Sequence, residues 1–163
     1  MATVTNPYAG FLGDLDAMAV LKETPGRLQE LVQRLGAAGL ERSWAPGKWS
    51  ARKIVCHLAD CEIAFGYRWR QVAAQPHHLI QTFDQDQWAA GYESLGANEA
   101  LASFSALRRW SMAWLGALPP AAFSKAVTHP ERGELTLRDL LALAAGHDRN
   151  HLGQLEQMTK ASA

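Results

Sequence analysis

Two histidines four residues apart, His147 and His151, lie inside the apolar stripe of the last long helical segment. At about 100° per residue, Leu137, Leu140, Ala144, His147, His151, Leu155 and Met158 cover less than half of the helix circumference. The face that must be buried therefore carries two imidazoles, and each needs a partner for its ring nitrogens. Two imidazoles one turn apart can turn a nitrogen toward one metal ion. The fold has to close either around a metal site or around a pair of core histidines bonded to protein groups.

Apolar spacing predicts the elements that would surround this pair. Residues 11–21 have weak helical character, and Thr24-Pro25 then supplies an N-cap followed by a proline in the first turn. A helix over 25–35 follows, with Leu28, Leu31, Val32 and Leu35 on one face and Gly36 as its stop. Pro46-Gly47 marks a turn, and Ser50 caps a second helix over 51–74. Its stripe is Ile54, His57, Leu58, Cys61, Ala64, Phe65 and Val72, with Arg68 on the same side, so His57 becomes a third inward histidine.

From Gln75 to Ala97 the helical period fails, which leaves a lid, a binding loop or an unrecognised short helix around 86–92. Asn98 is placed to cap a third helix over 99–118, with Leu101, Phe104, Leu107, Trp114, Leu115 and Leu118 as its stripe and Pro119-Pro120 as its end. Residues 126–135 read as a connecting loop with some extended structure. Thr136 and Asp139 have the spacing of a capping box, which starts the final helix near Leu137 and makes it about 23 residues long. Four helices around one core predict an all-α four-helix bundle, with residues 1–163 as one domain.

Sixteen basic and sixteen acidic side chains cancel without forming blocks of one sign, which argues against a nucleic-acid or membrane-surface partner. No stretch approaches a membrane span and the first residues show no leader pattern, so a cytoplasmic location is expected. Cys56 and Cys61 would lie about 140° apart on a helix and are read as reduced thiols. Six tryptophans without basic interleaving suggest core packing, not a base-stacking platform.

Three histidines from two helices could hold one ion and leave positions for water or substrate; zinc, nickel, iron and manganese all accept imidazole. The pentad His147 to His151 is not the zincin motif, because Asp148 stands where that motif has glutamate and lies about 100° from His147 around the helix. Gln154 shares the side of His147, while Asp60 and Cys61 lie within about one turn of His57. These three could orient ligands, accept a proton or add a fourth ligand; their plain readings are a surface amide, a solvated carboxylate and a small core residue. His77 and His78 read as solvated loop residues, and His129 as a candidate to face the site, since its loop leads into the last helix.

Three stretches together carry a resemblance: Trp49-Ser50-Ala51-Arg52-Lys53-Ile54-Val55-Cys56-His57-Leu58-Ala59-Asp60; the run from His129 through Thr136; and His147-Asp148-Arg149-Asn150-His151-Leu152-Gly153-Gln154. In this order and at these separations the chain resembles the DinB/YfiT-like superfamily of metal-dependent enzymes. The resemblance implies a four-helix bundle of unusual connectivity, often a homodimer, with a divalent ion, commonly nickel or zinc, at His57, His147 and His151. Some relatives are thiol-dependent transferases or isomerases using bacillithiol, mycothiol or glutathione.

Two expectations follow. In the first, the chain is an enzyme of the S-transferase or hydrolase type, in which a thiolate or hydroxide on the ion attacks a small-molecule electrophile held under residues 76–97. In the second, it is a stress-related binding or structural bundle that the ion merely stabilises. A pocket of ligand size beside the histidines separates them.

Overall fold

The computed structural model describes residues 6–160. Residues 1–5, which bear on the expected absence of a leader, lie outside them. A one-turn helix, α1 (Ala9–Leu12), precedes the first long helix, α2 (Ala17–Leu40). The Asp16 side chain accepts from the Ala19 amide at 2.8 Å, so α2 starts at Ala17 and not at Thr24-Pro25. Thr24 is no cap, because its hydroxyl donates to the Val20 carbonyl one turn back. Pro25 lacks the amide that would reach Leu21, and the freed Leu21 carbonyl accepts from Arg108 Nη1 at 3.0 Å instead. Gly36, at φ 60°, interrupts the helix where the sequence places a stop, but helical backbone resumes to Leu40.

Helix α3 (Ala51–Ala74) has the expected bounds, with the Ser50 hydroxyl accepting from the Lys53 amide at 3.3 Å. The aperiodic stretch contains a short helix, α4 (Gln85–Ala89), capped by Asp84, and one 3-10 turn at Tyr92–Ser94. Helix α5 (Ala97–Gly116) begins two residues before its expected start, after Gly96, so Asn98 lies within it and is not its cap. The segment read as a loop is an antiparallel hairpin, β1 (Ala126–His129) and β2 (Gly133–Thr136), pairing buried Val127 with buried Leu135. Gly133 turns it with φ 77°. Residues 77–80 run beside β1 through the bonds Ile80 N to Thr128 O, 2.8 Å, and Thr128 N to His78 O, 3.0 Å.

Helix α6 (Leu137–Lys160) opens with the expected box: Asp139 accepts from the Thr136 amide at 2.8 Å, and Thr136 Oγ1 from the Asp139 amide at 3.2 Å. Around the bundle, α2 packs on α5 and α6, and α3 packs on the same two helices from the opposite side. Every member of the α6 stripe is buried. The tryptophans divide differently from expectation: Trp69 is fully buried, Trp49 and Trp114 are half-buried, and Trp44, Trp88 and Trp110 are exposed. Among the described residues no helix is long and apolar enough to cross a membrane.

Candidate metal centre

α3 and α6 face each other across the core, and this brings His57 against His147 and His151. All three are buried, and one ligand atom from each lies within 4.8 Å of the others. The closest approach joins His57 Nε2 and His147 Nε2 at 3.0 Å. Ligand nitrogens about 2.0–2.1 Å from a shared ion sit roughly 3.3 Å apart, so this pair already has nearly the required spacing.

Burial, reinforced by the neighbouring imidazoles, pushes the pKa of His57 down to about 2. Burial and His147 push that of His151 down to about 3. Both rings are therefore neutral at pH 7, the form that ligates metal. His57 Nε2 and His147 Nε2 point at each other at 3.0 Å and need a proton or a cation between them. The donor set thus fits a divalent ion.

Neighbouring side chains fix the rings. Gln154 Oε1 lies 2.9 Å from His151 Nδ1; with that nitrogen donating, Nε2 keeps its lone pair. Trp49 covers His57 at 4.9 Å between ring centroids, and the edges of Tyr8 and Phe65 meet His147 at 5.2 and 5.6 Å. Cys61 Sγ lies 3.4 Å from His57 Nε2 and 3.8 Å from His147 Nε2. Its burial pushes the thiol pKa upward, and neither cysteine is in a disulfide.

The other candidates separate. Asp60 accepts from the Tyr92 hydroxyl at 2.8 Å and is not bonded to a histidine. His129 is buried on the cleft wall, where its Nδ1 accepts from the Glu131 amide at 3.2 Å. His77 is exposed, and His78 Nδ1 bonds the Gln75 carbonyl at 2.7 Å, so both stay in their loop.

A buried ion cluster beneath the histidines has no counterpart among the sequence expectations. Arg108 Nη1 reaches Asp148 Oδ2 at 2.7 Å, and its Nε and Nη2 reach Glu62 Oε2 at 2.9 and 2.6 Å. All three side chains are essentially inaccessible. Although burial alone would raise the pKa of Asp148, the Arg108 guanidinium holds it below the ordinary value. The overlooked signal is position: Arg108 falls four residues after Phe104 and seven before Leu115, on the stripe itself.

A cleft of about 230 Å³ opens onto the His57–His147 edge. Cys61 and Phe65 share its floor, while Arg68, Phe83, His129 and Arg132 form its walls. A second cleft, about 290 Å³, reaches His151 and Gln154 from the side of Trp49. Gln85, at the start of α4, borders both, so the aperiodic stretch lines the approach to the histidines.

The family model described as the DinB superfamily matches residues 21–155. A relative in Bacillus subtilis, named "Putative metal-dependent hydrolase YfiT", is 27% identical over 145 residues, spanning 86% of this chain and 81% of its own. A relative in Bacillus licheniformis with the same description is 31% identical over 144 residues, with 86% and 81% covered. The solved structure of Bacillus subtilis YfiT, a four-helix bundle of unusual topology, superposes with a TM-score of 0.83 at 23% identity, covering 90% of this chain and 85% of that one. A mycothiol-dependent maleylpyruvate isomerase shares the fold more distantly, with a TM-score of 0.71 at 11% identity, over 85% of this chain and 59% of the isomerase.

Proposed function

This chain belongs to the DinB superfamily, and from that premise we propose that it is a cytoplasmic metal-dependent enzyme, of the hydrolase or thiol-dependent S-transferase type. His57, His147 and His151 would hold its divalent ion, nickel or zinc. The observation that carries this reading is the 3.0 Å approach of the His57 and His147 Nε2 atoms beside a cleft. When bound, such an ion lowers the pKa of a water or a low-molecular-weight thiol and stabilises the resulting anion.

The chain's own residues supply the setting. Gln154 holds the His151 ring in one orientation. Phe65, Trp49 and Tyr8 exclude water from the ring faces. The cleft, bordered by Thr82, Phe83 and Gln85, has room for a small electrophile. A metal clip without turnover would need no such cavity, which favours the catalytic reading. The same proposal includes a homodimer: exposed Ile63, Tyr67 and Trp88 border one shallow apolar depression on the outer side of α3.

Elemental analysis of untagged protein tests the core of the proposal. The expected result is about one equivalent of a divalent transition metal in wild type and its loss in His147→Ala, followed by turnover in a screen of thiols and electrophiles. Absence of metal from wild type, with none taken up on reconstitution, would overturn it.

A further inference from the structure

We infer that the Cys61 thiolate is a fourth protein ligand to the ion, set beside His57 and His147 on the side of the first cleft. The inference rests on the proposed metal site and adds a residue to it. Cys61 follows His57 by four residues on α3, as His151 follows His147 on α6. Each helix thus presents two donors one turn apart, and the two pairs meet across the core. Where α6 supplies two imidazoles, α3 supplies an imidazole and a sulfur.

Cys61 Sγ lies 3.4 Å from His57 Nε2 and 3.8 Å from His147 Nε2, and the two nitrogens are 3.0 Å apart. Around a tetrahedral ion, with nitrogen at about 2.0–2.1 Å and sulfur at about 2.3 Å, the sulfur–nitrogen edges are about 3.6 Å and the nitrogen–nitrogen edge about 3.3 Å. All three observed edges fall within about 0.3 Å of those values. Cys61 is buried with its sulfur turned to these rings, whereas Cys56 Sγ, on the same helix, lies 4.0 Å from the Leu95 carbonyl oxygen. The first cleft is lined by His57, His147 and Cys61, and the second by His151, so the sulfur and His151 approach the same space from different sides.

A coordinating thiol gives up its proton to solvent as the metal–sulfur bond forms, so burial of the free thiol is no obstacle. Sulfur beside imidazole suits zinc and disfavours manganese, which prefers oxygen. Zinc can take a fifth ligand during turnover, so the sulfur does not close the ion to water or substrate.

X-ray absorption at the zinc edge, on untagged protein loaded with zinc in buffer free of added thiols, reads the ligands directly. Wild type should show a sulfur shell at about 2.3 Å beside nitrogen at about 2.0–2.1 Å. Cys61→Ser should lose the sulfur shell while Cys56→Ser keeps it. The chain has two cysteines, so retention in Cys56→Ser assigns the sulfur to Cys61 even if Cys61→Ser fails to fold. Zinc affinity, from competition with a chelator, should fall at least about ten-fold in Cys61→Ser, the lower bound for losing even a group that supports a ligand. Cobalt(II) in place of zinc should give wild type a thiolate-to-metal charge-transfer band in the near ultraviolet. Zinc held by nitrogen and oxygen alone, or a sulfur shell that survives in Cys61→Ser, would overturn the inference and leave the three-histidine reading standing. No uptake of zinc by wild type would overturn both.

Discussion

Asp148 Oδ2 receives Arg108 Nη1 at 2.7 Å, while Asp148 Oδ1 stays 4.0 Å from the neighbouring His147 Nδ1. The acid that follows the first histidine of α6 is thus committed to an arginine on α5. It is not aimed at the space a general base would need. This is the structural reason that the pentad differs from a zincin helix: its acidic residue fastens α6 to the bundle.

Removing the cation from that cluster leaves two buried carboxylates without their partner. Arg108→Met is expected to lower stability by about 3–5 kcal/mol. Urea unfolding followed by circular dichroism measures the loss. A variant within 1 kcal/mol of wild type, an approximate threshold for an exposed pair, would show that the cluster is solvated.

Gln154 acts on His151 from outside the ligand set. Gln154→Leu keeps the side chain's bulk and deletes the acceptor, so metal affinity should fall by roughly 10- to 100-fold with little change in folding. Competition with a chelator of known affinity gives the number. Unchanged affinity would mean that packing alone orients the ring.

Much of this site is legible in the sequence because its cause is local. The spacing of His147 and His151 within the α6 stripe, the Thr136–Asp139 box and the Ser50 cap depend on residues within a turn or two of one another. Arg108 depends on Glu62 and Asp148, 46 and 40 residues away, and no period reports such a pairing. The start of α2 is hidden for the same reason, since the group that makes Pro25 tolerable is on another helix. The hairpin before α6 was obscured by its brevity: each strand has four residues.

Acid should destabilise the metal-free protein in a defined window. Folded His57 and His151 have pKa values near 2 and 3, against about 6.5 in the unfolded chain. Above pH 6.5 both states hold neutral rings, and the full stability is present. Between about 6.5 and 3 only the unfolded chain takes up protons, so stability falls with falling pH. At about pH 4.5 the loss is on the order of 3 kcal/mol per histidine. Urea midpoints of chelator-treated protein across pH 7.5–4.5, compared with His57→Asn, should show a smaller slope in the variant; equal slopes would contradict the assigned burial.

Gly146, one residue before His147, lies under α1. A Cβ built there would fall 2.5 Å from the Tyr8 carbonyl oxygen and 2.8 Å from Tyr8 Cβ. Gly146→Ala should push α1 off the bundle at a cost of about 1–3 kcal/mol and withdraw Tyr8 from the cleft wall. Hydrogen exchange of the α1 amides reads this directly. Unaltered protection would place the strain elsewhere.

The carbonyl that Pro25 leaves open on α2 has a wider consequence for how the chain folds. A helix severed from its neighbours would hold that oxygen to water and fray on both sides of the proline. Once α5 docks, Arg108 reaches it, and the same guanidinium engages α3 and α6 through Glu62 and Asp148. One side chain therefore couples all four long helices, so the bundle should be gained or lost in a single cooperative transition, without a populated three-helix species.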